Sequence, residues 1–205
     1  MKTRLILLIF ALASLGGNKS NAQSAKFLLK GGFSYSIPLE GSSDYYRERG
    51  NLSSFGLGTE FMVNHDISME VLLSIYTPFK SNYVESNGNT ISETNLKRNI
   101  TELKFSPFIY NFTQSLNGLY WGVDARLMLV NGSEDFLSTH RITKEVLSRF
   151  NRDYSDFEIG LGAKVGYKAW INDQFGFDIN SFILASEDVE ELGIGLNLNV
   201  LYKIK

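Results

Sequence analysis

The chain of 205 residues has the length of one domain and no cysteine, so neither a disulfide framework nor a thiolate metal site holds it together. Its 20 basic and 22 acidic residues nearly cancel at a net charge of −2, which argues against nucleic acid as a partner. Eighteen glycines, three prolines and 13% aromatic residues, against two histidines, are the composition of a β protein with closely packed backbones.

The first segment reads as a targeting signal. Lys2 and Arg4 precede an apolar run, Leu5 to Leu15, that is too short for a helical span of about 20 residues. Small residues in Ser20-Asn21-Ala22 suit a signal peptidase, which predicts a signal peptide over residues 1–22 and a mature domain over 23–205. The alternative is a buried N-terminal helix. No cysteine follows the run to carry a lipid anchor.

Beyond it the dominant signal is period-two alternation, which marks strands. The first predicted strand places Phe27, Leu29, Phe33, Tyr35 and Ile37 on one face and Lys30, Gly32, Ser34 and Ser36 on the other, with Leu28 the exception. The second has Phe55, Leu57, Phe61 and Val63 against Ser54, Gly56, Gly58 and Glu60, and the third Ile67 to Ile75 against Ser68, Glu70 and Ser74. In the fourth, Leu103, Phe105, Pro107 and Ile109 oppose Glu102, Lys104 and Ser106. The fifth runs from Leu119 to Leu129 against Gly122, Asp124 and Arg126, and the sixth from Phe157 to Tyr167 against Glu158, Gly160, Gly162, Lys164 and Gly166. The seventh sets Phe175, Phe177, Ile179 and Ile183 against Gly176, Asp178 and Asn180; the last sets Leu192 to Tyr202 against Gly193, Gly195, Asn197 and Asn199. About eight strands result, each near the 9–11 residues that cross a tilted bilayer path.

Connections alternate in length. Long polar loops are predicted at Pro38 to Asn51, Lys80 to Lys97 and Asn131 to Asp153, with a shorter one at Ser186 to Glu191. Tight turns lie near Asn64-His65-Asp66, Asn111 to Gly118 and Ile171-Asn172-Asp173. This is the layout of an outer-membrane barrel with the long connections outside the cell. Asn87-Gly88-Asn89 reads as a hairpin tip, and Thr143 to Phe150 as a short helix capped by Thr143.

Volume decides which face is inside. The apolar rows hold about three times the roughly 12 side chains that fill an eight-stranded interior, so they must face lipid. The chain is therefore expected to form an all-β, closed antiparallel transmembrane barrel, closed because lipid cannot satisfy an open sheet edge. Its inward rows carry near-balanced charge: Glu60, Glu70, Glu102, Asp124, Glu158 and Asp178 against Lys26, Lys30, Lys104, Arg126, Lys164 and Lys168. In so narrow a lumen these must pair, because an unpaired buried charge costs several kcal/mol. An ion-paired plug is expected, with Arg126 bridging two carboxylates; the rival is a water-lined pore. Aromatics near the strand ends, Tyr35, Phe55 and Phe79 at one end and Phe61, Trp121, Tyr167, Trp170 and Tyr202 at the other, fit interfacial girdles.

The segments Ser20-Asn21-Ala22-Gln23, Phe55-Gly56-Leu57-Gly58, Lys104-Phe105-Ser106-Pro107-Phe108 and Asn197 to Lys205 resemble the outer-membrane β-barrel (porin-like) domain family across the mature chain. The resemblance implies fold and outer-membrane location more than activity. It also implies contact with lipid, lipopolysaccharide and the barrel-insertion machinery. The chain departs from the family in ending Tyr202-Lys203-Ile204-Lys205 rather than on an aromatic residue.

No catalytic, cofactor or metal constellation emerges. His65-Asp66-Ile67-Ser68 has the residue types of a lipid-modifying enzyme without a supporting motif, and His140 falls in a polar loop. Glu187, Asp188, Glu190 and Glu191 form an acidic tip that reads as a solvated loop more readily than a cation site. Loop residues Tyr45, Tyr46, Arg47, Arg141 and Arg149 are the binding candidates, being of types favoured at interaction hot spots. The expectation is a monomeric, non-enzymatic outer-membrane barrel with a structural or loop-mediated binding role. A small porin and a lipid-modifying enzyme are the alternatives.

Overall fold

A computed structural model describes residues 27–39, 52–64, 66–113, 117–186 and 192–204. The expected signal peptide and Lys26 lie outside these residues. So do His65, the acidic residues Glu187, Asp188, Glu190 and Glu191, and Tyr45, Tyr46 and Arg47. Nine strands are present: β1 (Phe27–Pro38), β2 (Leu52–Met62), β3 (Ile67–Tyr76), β4 (Phe79–Asn87), β5 (Thr90–Asn111), β6 (Gly118–His140), β7 (Val146–Trp170), β8 (Phe175–Ser186) and β9 (Leu192–Lys203). They pair antiparallel in the order β3-β2-β1-β9-β8-β7-β6-β5-β4, and β3 pairs with β5 as well. That last pairing closes eight strands into a barrel and leaves β4 outside the ring, attached to β5.

Register follows from the alternation, since a one-residue slip would turn every apolar side chain into the lumen. Phe33 lies opposite Phe55 on one side and Leu198 on the other, and Leu198 opposite Ile179. The outward row is left uncovered: Leu161 is 66% and Ile75 63% exposed, whereas the alternate residues Lys30, Glu70, Asp124 and Lys164 are buried. Apolar outside and charged inside is the inverse of a water-soluble barrel. No helix among the described residues is long and apolar enough to cross a membrane; the strands do so.

The tight turns have a local cause. Asn64 Oδ1 accepts hydrogen bonds from the backbone N–H of Asp66 and Ile67 at 2.9 and 2.8 Å, and Asn172 Oδ1 does the same for Gln174 and Phe175. An Asn side chain thus stands in for backbone and reverses the chain in two of the three short connections.

The structure corrects the sequence reading in three places. The segments Lys80 to Lys97 and Asn131 to Asp153 are not polar loops but strand. β5 pairs with β4 from Arg98 to Thr90, and β6 pairs with β7 up to Thr139 and Val146. Their alternation was concealed because both faces of this sheet meet water, so neither row is apolar. Second, Thr143 to Phe150 is not helical. Lys144 takes a positive φ of 59°, its N–H bonds to His140 O at 2.9 Å, and β7 then starts at Val146. Phe150 instead stacks on Phe136 across the hairpin at 4.9 Å. Third, Ile109 does not share a face with Leu103 and Phe105. Phe105 opposes Ala125 and Phe108 opposes Val123, so β5 carries one extra residue, a bulge at Ser106-Pro107, where proline has no N–H to offer the ladder. Beyond it Phe108 packs against Trp121, and Ile109 turns inward and is fully buried.

Candidate functional site

The lumen is built from the inward row of every barrel strand. Eleven charged side chains, six acidic and five basic, are buried there. Glu60 on β2 and Glu70 on β3 sit directly opposite each other, a like-charge pairing that would be destabilising if left alone. Lysines from other strands resolve it. Lys30 of β1 contacts Glu70 Oε2 at 2.5 Å and Asp178 of β8, with Glu60 Oε2 at 3.9 Å. Lys168 of β7 holds Glu60 Oε1 at 2.5 Å. Lys164, one inward step from Gly166 and two from Lys168, bonds Glu70 Oε1 at 2.8 Å and Asp124 Oδ1 at 3.2 Å, and Lys104 of β5 reaches Glu70 Oε1 at 3.3 Å. Glu70 is the hub, shared by three lysines.

Neutral side chains complete the network, as they must where the local dielectric is low. Ser106 donates to Asp124 at 2.6 Å, Ser68 to Glu60 at 2.5 Å, and Tyr120 to Asp178 at 2.5 Å. Asn199 adds a bond to Asp178 at 3.1 Å. Above this layer Arg126 spans two carboxylates, Glu102 at 3.4 Å and Asp124 at 3.5 Å, and its guanidinium lies over the Phe182 ring at 4.3 Å. Tyr76 donates to Glu102 at 2.8 Å. Glu158 is buried in the same wall, opposite Met128. Only Glu60 Oε2 and Arg126 Nε are buried without a hydrogen-bond partner among the described residues.

Apolar side chains bound the charged layer at both ends. Leu28, Ile109 and Leu201 are fully buried towards the short turns, and Leu72, Tyr76, Met128, Val130 and Phe182 are buried towards the long hairpins. A water-filled pore would leave its wall residues exposed, yet Lys30, Glu70, Lys104, Asp124, Arg126, Lys164 and Asp178 are each no more than 3% exposed. Tyr120 has room to fill its part of the lumen because residue 166 is glycine: a Cβ there would stand 2.6 Å from the Tyr120 ring.

The second feature is an arm. β4 and the extended ends of β5, β6 and β7 form a four-stranded antiparallel sheet that continues the barrel wall past its apolar belt. The outward row on β6 runs from Leu129, still apolar, to Asn131, Ser133 and Asp135. The face continuous with the lumen carries Arg98, whose Nε donates to Tyr154 Oη at 2.7 Å, and Arg152, which pairs with Glu134 at 3.2 Å. The stacked Phe136 and Phe150 lie beyond them. Arg141 N–H bonds to Asn89 O at 2.6 Å, tying the two hairpin tips together.

All eight residues expected in a lumen charge network, Glu60, Glu70, Glu102, Lys104, Asp124, Arg126, Glu158 and Lys164, lie buried in the lumen. Of the loop candidates, Arg141 sits in the apex turn of the arm and Arg149 on its edge strand. His140 is structural in that turn, its Nδ1 accepting from Thr143 N–H at 3.2 Å. Sequence reading missed Tyr120, Tyr76, Ser68 and Asn111 as lumen partners, although each stands in an inward position of its strand. It also missed Arg98, Tyr154 and Arg152, because their strands read as loop. Among the described residues no His, Asp and Glu side chains gather into a potential metal site.

A closed eight-stranded antiparallel barrel with an ion-paired interior and an apolar outer belt has the architecture of a transmembrane β-barrel of the outer-membrane type. Among solved structures, the fold is similar to that of Ail, the attachment invasion locus protein of Yersinia pestis. The identity is 11%, covering 89% of this chain and 100% of that one, with a TM-score of 0.52. Neisserial surface protein A (15% identity, 89% and 100% covered, TM-score 0.47) and the N-terminal β-barrel domain of OprF from Pseudomonas aeruginosa (14%, 87% and 100%, 0.46) are also similar. No protein-family model and no curated protein matches the chain. At such identities the likeness is one of fold.

Proposed function

We propose that this chain is a non-enzymatic, monomeric outer-membrane protein whose filled barrel anchors a rigid β-sheet arm outside the cell as a binding surface. The observation that carries the reading is the union of a packed, ion-paired lumen with a four-stranded sheet rising from the same strands. A lumen filled by buried, ion-paired side chains gives solutes no path, so the barrel serves as an anchor. The arm is then the part that differs from a minimal membrane cylinder. In this reading residues 1–22 direct export and are removed, and Tyr202 on the last strand and Ile204 just past it present the insertion signal. The exposed belt meets lipid, with the lipopolysaccharide layer surrounding the base of the arm.

Two measurements test it. In planar bilayers the purified protein is expected to show no steady single-channel conductance; a stable conductance would establish the porin alternative. Cells displaying either the intact chain or one with Asp135–Asn151 replaced by Asn-Gly are then compared for retention on anionic, neutral and glycan-coated surfaces. Arm-dependent retention on at least one surface is the expected result. Equal retention of both on all surfaces would remove the binding role.

A further inference from the structure

The apex of the arm combines features that the barrel does not explain. Ile142, Val146 and Leu147 are 76%, 58% and 53% exposed, and Ile142 is more exposed than any lipid-facing side chain of the belt. In the belt, exposure is satisfied by lipid. At the apex it is not, because the apex stands clear of the membrane. From Leu129, where the unbroken apolar run of the β6 outer row ends, to His140 the strand rises about 36 Å, on the order of 28 Å above the belt at a tilt of about 40°. Pairing keeps this length extended: β6 is bonded to β5 from Tyr120 to His140 and to β7 from Gly118 to Thr139. The apex therefore lies well beyond the lipid-facing belt of the barrel.

Three cations surround these aliphatic side chains: Arg141 and Lys144 in the turn and Arg149 just below. Glu145 is the one acid within the turn, and Glu85 and Glu93 of the neighbouring hairpin lie below the apex. The apex is a short turn, with Lys144 at a positive φ of 59°, joined to the neighbouring hairpin tip by Arg141 N–H and Asn89 O. A stable protein interface needs about 800 Å² of complementary surface per partner, more than the few side chains of one strand-to-strand turn offer. A bilayer surface, by contrast, closes round an intruding tip, takes up aliphatic side chains and pairs cations with phosphate.

We infer that the β6–β7 apex docks onto an anionic phospholipid surface facing the cell, with Ile142, Val146 and Leu147 entering the headgroup boundary and Arg141, Lys144 and Arg149 pairing with lipid phosphates. This rests on the reading of the arm as a binding element and names what it binds.

The test uses the full chain in phosphatidylcholine nanodiscs, mixed with vesicles rich in phosphatidylglycerol or made of phosphatidylcholine alone and separated by flotation. The wild type is expected to float with the anionic vesicles and not the neutral ones. Arg141→Gln, Lys144→Gln and Arg149→Gln together are expected to weaken that binding about a hundredfold, each cation near an anionic surface being worth about fivefold. Ile142→Ser, Val146→Ser and Leu147→Ser together are expected to abolish it. None of the six side chains reaches the lumen, and unchanged tryptophan emission confirms that each variant is folded. Failure of the wild type to bind anionic vesicles overturns the inference, as does binding that ignores both sets of substitutions. Arm-dependent retention confined to glycan-coated surfaces overturns it too, while leaving the binding role of the arm intact.

Discussion

Replacing Glu70 by Gln removes the hub of the lumen network while leaving its shape almost unchanged. In the native structure Glu70 faces Lys30, Lys164 and Lys104 at 2.5, 2.8 and 3.3 Å. After the change Lys30 keeps Asp178 and Lys164 keeps Asp124, but Lys104 loses the only carboxylate it pairs with among the described residues. Removing one member of a buried pair costs about 3–5 kcal/mol, because a desolvated charge stays behind. Glu70→Gln is therefore expected to lower barrel stability by about 3–5 kcal/mol, most of it owed to Lys104. The double variant Glu70→Gln/Lys104→Met removes that orphan and should recover about 2 kcal/mol or more, a coupling that contacting residues show and distant ones do not. Denaturant unfolding in lipid vesicles, followed by the emission of Trp121 and Trp170, reads both quantities. A loss below about 1 kcal/mol with no coupling to Lys104 would refute the claim that the network stabilises by mutual pairing, and would point to a lumen wet enough to screen its charges.

Other expectations follow from the same geometry. Leu161→Lys, at the centre of the lipid-facing row, should cost about 2–4 kcal/mol in unfolding from a bilayer, whereas Asn151→Lys on the arm should change stability little; equal effects would contradict the assigned orientation. Gly166→Val would press a side chain into the Tyr120 ring and Asn180 and should cost about 1–3 kcal/mol, relieved in part by Tyr120→Ala, by the same unfolding assay. Phe136→Ala removes the stack on Phe150 and should raise amide exchange in the arm, 79–99 and 131–155, while leaving barrel amides protected; loosening of the whole barrel would show that arm and cylinder unfold as one unit.

The alternation of Phe27 to Ile37 or of Leu192 to Tyr202 was enough to define strands, their apolar face and, with the count of bulky residues, the direction that face takes. Strand alternation reports local geometry, and a belt bathed in lipid imposes it on every strand that crosses. The acidic and basic inward residues could likewise be named in advance, since position in the row is all that burial requires. Which lysine meets which carboxylate was not legible: Lys30 and Glu70, or Lys164 and Glu70, are far apart in sequence and meet only because the barrel closes. The bulge at Ser106-Pro107 shows the limit from another side, because a single extra residue flips Ile109 inward with no change in composition.

The arm was hidden for a related reason. With water on both faces, residues 79–99 and 131–155 carry no apolar row; Asn87-Gly88-Asn89 marks one hairpin tip, but nothing local distinguishes the strands themselves from loops or, at Thr143 to Phe150, from a helix. Cross-strand partners supply what local sequence does not, through the long β5–β6 and β6–β7 ladders. Sequence alone thus determined that this protein is a membrane cylinder with charge inside, because a lipid solvent constrains each strand independently. Tertiary structure alone decided that the cylinder is packed shut and carries a four-stranded arm, because both depend on which strands meet.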